Sequence, residues 1–251
     1  MQQFRIDTAK KFKRLPNAPV VEAVIQWIAS PTQTLEQTIL QGMLKDRFPG
    51  YSIEVQHELE MQAEFQTKES VGGFRHRSKW DGFRLTSSDK KHICQFKPNS
   101  VAFSRLKPYE GWENFTNSAF PFWNAFLEWA SPPMVERIGI RFISQVDLVS
   151  DDLADYVEQP PSSLNRIGLS AESFFHQDTF AIPGHPFSLK LGHAIQQQEP
   201  PLVRKSLIVD IDVATTETTM LDAVESRLQE MRVLKNEVFF GFIKNAETHF
   251  S

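Results

Sequence analysis

The sequence contains very little cysteine and no long apolar run. Cys94 is the only cysteine among 251 residues, so an intramolecular disulfide and a zinc site built on several thiolates are both excluded. No stretch reaches the roughly 18 apolar residues of a membrane-spanning helix, and the first residues lack the apolar centre of a secretion signal. These absences predict a cytoplasmic protein with no membrane contact.

The common catalytic signatures are absent as well. The chain has seven histidines, but none forms the His-x-x-x-His or His-Glu-x-x-His spacing of zinc enzymes. There is no Gly-x-Ser-x-Gly nucleophile motif, no Walker-type phosphate loop and no glycine fingerprint of a dinucleotide-binding fold. The sequence therefore predicts no cofactor, leaves the catalytic residues unknown and favours a protein that is not an enzyme.

The composition that remains is that of a folded protein with a dry, aromatic core. Hydrophobic residues make up 41% and charged residues 23% of the chain, which excludes wholesale disorder. Phenylalanine is abundant, with 21 residues, whereas tyrosine occurs only three times. Because phenylalanine carries no polar group, we expect most of this ring area to be buried.

Hydrophobic periodicity predicts an α+β fold, with a curved, mostly antiparallel sheet packed against three main helices. The predicted helices are Thr32–Phe48, Tyr109–Ala130 and Thr219–Ile243. Period-two segments bounded by turn residues predict the strands: Val20–Ala29, Ser52–Thr67, Trp80–Thr86, His92–Lys97, Ser100–Leu106, Met134–Val149, Ser173–Ile182, Phe187–Ile195 and Leu202–Ala214. We expect a single domain, residues 1–251, with two similar lobes of approximately residues 1–149 and 150–251.

Charge is distributed unevenly along the chain. Residues 68–107 hold ten Lys or Arg against three acids, whereas residues 147–251 hold eight against sixteen. The basic segment also carries aromatic residues, a combination that suits phosphate contact and base stacking. Arg75, Arg77, Lys79 and Trp80 are its candidate residues for binding nucleic acid or another anionic ligand. A sheet with one solvated face and its rings in the core would give the same pattern.

Two arginines and one glutamate form the main candidate ligand site. Arg137 and Arg141 are four residues apart on a predicted strand, so both side chains lie on one face, about 13 Å apart. Together they could clamp an anion, and Gly139 between them would leave room for a ligand or a crossing helix. Glu22, a lone acid in an apolar strand, would face the same site. The alternative is a structural ion pair between strands.

Asp210 and Asp212 support a different hypothesis. They are two residues apart on a predicted strand, so their carboxylates share a face. With Glu22 they could hold magnesium in a metal-assisted hydrolase or nuclease. Solvated charges at the edge of the sheet would give the same spacing.

Four segments resemble one sporadically distributed, uncharacterised bacterial family. They are Leu15–Val24, with its Asn-Ala-Pro-x-x-Glu pattern, the Arg-Ile-Gly-Ile-Arg-Phe strand Arg137–Ile143, Ser104–Trp112 and Leu234–Phe240. The family has Asn after the arginine strand, where this chain has Ser144. The resemblance brings no established activity. It implies an accessory gene, carried with mobile elements or phage-defence clusters.

Taken together, these features favour a non-enzymatic module that binds a ligand, a nucleic acid or a protein partner, including a second copy of the chain. The hydrolase or nuclease is the alternative.

Overall fold

In a computed structural model of the protein, the described residues are 5–33, 36–64, 73–150, 152–158, 160, 173–197 and 205–251. The description of 59–64, 73–78 and 197 covers the backbone alone.

The described residues form one open antiparallel sheet of nine strands, in the order β2-β3-β4-β5-β1-β6-β9-β8-β7. The strands are β1 (Val20–Ile28), β2 (Tyr51–Glu64), β3 (Gly73–Ser87), β4 (His92–Lys97), β5 (Ser100–Leu106), β6 (Arg137–Asp147), β7 (Phe175–Ala181), β8 (Phe187–Gln197) and β9 (Lys205–Thr215). The helices are α1 (Gln37–Arg47), α2 (Trp112–Ala130), α3 (Val224–Phe242) and the short α4 (Ala246–His249). The predicted α+β class, with a mostly antiparallel sheet and three main helices, is confirmed.

The helices pack on one face of the sheet, which we call the inner face. In β1 the alternate residues Ala23, Ile25 and Trp27 are fully buried, as expected for a strand with one face in the core. Trp27 stacks on Trp123 of α2, with ring centres 5.3 Å apart. Apolar side chains on alternate positions therefore hold α2 against the centre of the sheet.

Phe122 of α2 is the centre of an aromatic cluster. Its ring centre lies 4.1 Å from that of Phe48, 5.3 Å from that of Tyr51 and 5.4 Å from that of Phe103. Phe122 is 2% exposed. This cluster anchors the end of α1 and the start of β2 to the inner face, and it confirms that much of the phenylalanine is buried.

A similar connection order occurs twice in the described part of the sheet. β1 is followed by α1 and then by a meander whose last strand, β5, returns to pair with β1, and α2 comes next. β6 is likewise followed by a meander whose last strand, β9, returns to pair with it, and α3 comes next. β1 and β6 pair with each other in the middle of the sheet. This pairing groups β6 with the second meander, whereas the expected lobes place it in the first. The lobes and the single domain stay predictions.

The first helix is shorter than expected. It begins at Gln37 instead of Thr32. The sequence offers two apolar stripes at helical spacing, one with Ile39 and Met43 and one with Leu40 and Leu44. Leu40 and Leu44 are fully buried, while Ile39 is 59% exposed, so tertiary packing selects between the two stripes.

The short strand predicted at Trp80–Thr86 is wrong in length. β3 already begins at Gly73 and pairs with β2 over its whole length, with a bulge opposite Gln56 and His57. The bulge shifts the alternation of side chains, which hides the continuation of the strand in the sequence pattern.

The predicted start of the C-terminal helix is also wrong. Thr219 pairs with Val135 in a β-bridge instead of capping the helix, and one 3₁₀ turn, Leu221–Ala223, precedes α3 at Val224. α3 ends at Phe242, one residue before the predicted bound, and the short α4 follows.

None of the helices in the described ranges is both long enough and apolar enough to cross a lipid bilayer.

Candidate ligand-binding site

Arg137, Arg141 and Glu22 lie on the outer face of the sheet, opposite the helices. Arg141 is the register partner of Val24 in β1 and of Asp212 in β9, and Arg137 is the partner of Ile28. Glu22 stands opposite Ile143. The two arginines therefore share one face, as the even spacing predicts.

Arg141 is already bound to an acid of its own chain. Its Nε donates to Oδ1 of Asp210 at 2.9 Å and its Nη2 donates to Oδ2 at 2.5 Å. These hydrogen bonds, and then the charges of Asp210, Asp212 and Glu22, raise the pKa of Arg141 above its ordinary value. An incoming anion would have to displace Asp210 and approach two further carboxylates, so this surface is poorly suited to an anion.

The space above Gly139 is filled by Arg137. A side-chain carbon added at Gly139 would lie 3.0 Å from Nη1 of Arg137. The same Nη1 donates to Oε1 of Gln26 at 3.1 Å. The absence of a side chain at Gly139 thus makes room for the guanidinium of Arg137 itself.

The paired acids of β9 do not form a metal centre with Glu22. Asp210 is held by Arg141, and no group of three or more His, Cys, Asp or Glu suited to a metal ion occurs within the described part of the chain. The arrangement matches the structural ion pair that the sequence left open.

The basic segment places its described aromatic rings in the core. Phe83, Phe96 and Phe103 are fully buried. Trp80 is half-buried, donates from Nε1 to the carbonyl of Gly82 at 3.0 Å and packs near Trp129. Lys79 is exposed, and the side chains predicted at Arg75 and Arg77 lie outside the described residues. The Trp80 ring, which base stacking would require, is therefore packed against other parts of the protein.

A cavity of about 590 Å³ lies on the inner face, between α2, α3 and the segment that leads into β1. Its volume is typical of sites for small organic ligands. Its floor is formed by the middle of the sheet, through Phe142, Ser144 and Ile211. Aromatic rings from three other segments complete the apolar part of the wall: Phe12, Tyr109, Trp112, Phe239 and Phe240.

The cavity brings together parts of all four segments that carry the family resemblance. Leu15 to Val20 form one side, and residues 108–112 lead into the adjacent start of α2. Phe142 belongs to the arginine strand, and Ser144 follows it. Lys235, Asn236, Phe239 and Phe240 come from α3. The arginines of that strand point to the other face of the sheet, so the cavity uses the alternate positions of the same strand.

Asn17 fixes the segment that forms the cavity's near wall. Its backbone N–H donates to the carbonyl of Phe250 at 3.2 Å, and its side-chain amide donates to the carbonyl of Ser251 at 2.9 Å. Pro19 restricts the backbone at the entry to β1, and its carbonyl accepts from the N–H of Gln145 at 2.9 Å. The Asn-Ala-Pro pattern therefore ties the start of the chain to its end, next to the cavity.

Lys235 is the most unusual residue of the cavity. Its Nζ lies 4.2 Å from the centre of the Phe142 ring, and Phe142 is 1% exposed. No carboxylate among the described side chains forms an ion pair with Lys235. Burial, and then the charge of Arg232, lower the pKa of Lys235 from 10.5 to about 7.

Other polar groups around the cavity favour negative charge in a ligand. Arg232, one turn before Lys235, makes its hydrogen bond with Gln229 rather than with an acid. Among the residues that the structure describes, no side chain caps the N-terminus of α2 at Gly111. The first turn of α2 lines the cavity, so the positive end of that helix dipole faces it. Lys13, Arg14, Arg232 and Lys235 outnumber the two acids of the lining, Glu110 and Glu113.

Lys235 is not among the site residues predicted from the sequence, although the sequence contains a signal for it. It lies four residues after Met231 and seven after Leu228, both of which are almost fully buried. A lysine on the apolar stripe of a helix needs either a partner or a cavity. Four other residues of α3 line the cavity at helical spacing: Arg232, Asn236, Phe239 and Phe240.

No protein-family model matches the chain, and no curated protein matches it either.

Proposed function

We propose that this protein is a binding module that takes a small anion with an apolar or aromatic body into the inner-face cavity. The observation that carries the proposal is the ammonium of Lys235, which lines an aromatic cavity and forms no ion pair with an acid among the described side chains. Its side chain is half-buried, and a positive charge held in apolar surroundings without a counter-ion is costly. A carboxylate, sulfonate or phosphate supplied by a ligand would remove that cost.

The composition of the lining supports the same ligand class. The partly exposed rings of Phe12, Tyr109 and Phe240 offer area for an apolar body. Arg232 and Lys235 lie on one side of it. The separation of an apolar wall from a few polar groups is the usual arrangement of small-molecule sites. If the chain is a member of the family that it resembles, the convergence of the four shared segments makes this cavity the family's common feature.

The experiment is a fluorescence titration with 8-anilinonaphthalene-1-sulfonate, an aromatic sulfonate that fluoresces in apolar surroundings. We expect saturable binding of one dye per chain, weakened about tenfold or more by Arg232→Gln because a charged hydrogen-bond donor is lost. Arg227→Gln is the matched control, because Arg227 lies on the same helix and pairs with Glu230 outside the cavity lining. Absence of saturable binding, or equal effects of both substitutions, would overturn the proposal.

A further inference from the structure

We infer that Lys235 forms an imine with the ligand, and that the ligand class is an aldehyde or ketone that also carries a carboxylate or phosphate. This inference rests on the proposed function and adds the chemistry of the site to it. The amine, the cavity and the cationic lining are all on the inner face of the sheet.

The position of Lys235 meets the geometric requirements for such a step. Its Nζ lies 4.2 Å from the centre of the Phe142 ring. The cavity that Lys235 lines is large enough for a ligand with an aromatic ring. Among the described side chains no acid holds it in the ammonium form through an ion pair. An amine in apolar surroundings beside a second cation is the arrangement that activates lysine as a nucleophile.

The charged groups that line the cavity with Lys235 mainly favour the neutral form of its amine. Arg232 comes from α3 itself, and Lys13 and Arg14 come from the segment before β1. Lys13 is paired with Glu247 at 3.4 Å. Glu110 and Glu113 come from the start of α2 and its preceding loop, and Glu110 is paired with Arg105 at 3.4 Å. Tyr109 is kept as the neutral phenol, because burial raises its pKa. The cations outnumber the acids and favour the neutral amine at Lys235.

The step is balanced without any oxidant or reductant. The neutral nitrogen of Lys235 attacks the carbonyl carbon, and a proton moves from nitrogen to the former carbonyl oxygen to give a carbinolamine. The C–O bond then breaks as that oxygen takes a second proton from solvent and leaves as water, while the nitrogen lone pair forms the C=N bond of an iminium ion. The iminium nitrogen gives its proton back to solvent, so amine plus carbonyl compound gives imine plus water.

The acidity of Lys235 makes this reaction favourable near neutral pH. Burial lowers the pKa of Lys235 to about 7, so about half of its amine is neutral at pH 7, compared with about one in 2,500 for an exposed lysine. The carbonyl compound would place its anionic group near Arg232 and the positive end of the α2 dipole.

The experiment uses pyridoxal 5′-phosphate as a probe, because it combines an aromatic ring, an aldehyde and a phosphate. The full-length protein is treated with the probe at pH 7 and then with sodium borohydride. Borohydride adds hydride to the imine carbon and fixes the adduct as a secondary amine. Peptide mass spectrometry then measures the modified fraction of every lysine. We expect the labelled fraction of Lys235 to be about tenfold higher, or more, than that of exposed lysines such as Lys45 and Lys190.

Two controls separate imine formation from simple binding. Lys235→Arg keeps the positive charge but removes the nucleophile, so labelling at that position should disappear while the circular dichroism spectrum stays that of the wild type. Pyridoxal, which lacks the phosphate, should label Lys235 about tenfold less than its phosphate ester. The comparison of lysines within the wild-type protein needs no variant.

Each outcome decides the inference. Labelling spread evenly over the exposed lysines, or equal labelling by pyridoxal and its phosphate, would overturn it. If the sulfonate dye binds in the cavity while Lys235 stays unmodified, only the imine chemistry fails and the binding proposal stands. If neither probe binds, the proposed function fails as well.

Discussion

The ammonium of Lys235 lies 4.2 Å from the centre of the Phe142 ring, and these two residues join the last long helix to the central pair of strands. Phe142 is the neighbour of Arg141 in β6, and the two side chains point to opposite faces of the sheet. One strand therefore supplies the floor of a cavity on its inner face and a paired arginine on its outer face.

The first prediction concerns how Lys235 makes the stability of the protein depend on pH. Because the pKa of Lys235 is lowered to about 7 in the folded protein, the unfolded chain binds more protons than the folded one between pH 7 and 10.5. The free energy of unfolding from this group therefore rises with pH across that window, by at most about 1.4 kcal/mol per pH unit. Below pH 7 the full cost of the buried charge remains.

Urea unfolding of wild type and Lys235→Met between pH 6 and 9 measures this difference. Methionine keeps an unbranched side chain of similar length without the charge. We expect the variant to be the more stable protein at pH 6 and its advantage to shrink as the pH rises. A difference that does not change with pH would show that Lys235 is not buried as described.

The second prediction concerns the pair formed by Arg141 and Asp210. Because the two side chains are 51% and 30% exposed, their ion pair should contribute no more than about 1 kcal/mol to the free energy of unfolding. A double-mutant cycle with Arg141→Met and Asp210→Asn gives this value. Neither substitution should alter the affinity for the sulfonate dye. Weaker dye binding in Arg141→Met would show that the dye binds at the outer face instead of in the inner-face cavity.

The third prediction concerns the volume of the cavity. Ser144 lines it from β6 and is 2% exposed, so Ser144→Leu should fill part of the space and weaken dye binding by about tenfold or more. Ile143→Leu is the control, because Ile143 lies on the outer face of the same strand. Circular dichroism checks that both variants are folded. Unchanged affinity in folded Ser144→Leu would place the dye elsewhere.

The fourth prediction concerns the close approach of β3 to β4. Gly82 has a φ of +142°, and a side-chain carbon there would overlap the carbonyl oxygen of Phe96. Gly82→Ala should therefore lower the free energy of unfolding by about 2 kcal/mol or more. Gly42→Ala is the matched control, since Gly42 lies in α1 with no atom within 4 Å of the added carbon. It should stabilise the protein by about 0.5–1 kcal/mol. Similar effects of both would contradict the assigned backbone at Gly82.

Much of the fold could be predicted from local patterns. β4 and β5 have the predicted bounds, and β1 differs from its prediction by one residue, because short alternating segments between clear turns have few alternatives. The register of β3 could not be predicted, because its bulge depends on pairing with β2. The start of α3 could not be predicted either, because Thr219 takes part in a bridge to Val135, a contact between residues distant in sequence.

The candidate site was predictable only in part. The even spacing of Arg137 and Arg141 placed both on one face, but their partners, Gln26 and Asp210, come from other strands. The cavity forms where four segments that are far apart in sequence meet the same face of the sheet. Lys235 was visible in the sequence as a charge on an apolar helical stripe. That no acid among the described side chains forms an ion pair with it follows only from the packing of α3 on β6.

The most direct test of the binding proposal is a crystal structure of the protein grown with 8-anilinonaphthalene-1-sulfonate. We expect density for the dye in the inner-face cavity, with its rings against Phe12, Tyr109 or Phe240. Its sulfonate should lie within hydrogen-bond distance of Arg232, Lys235 or the first N–H groups of α2. Dye bound instead on the outer face beside Arg137 and Arg141, or an empty inner cavity at saturating dye, would contradict the proposed site.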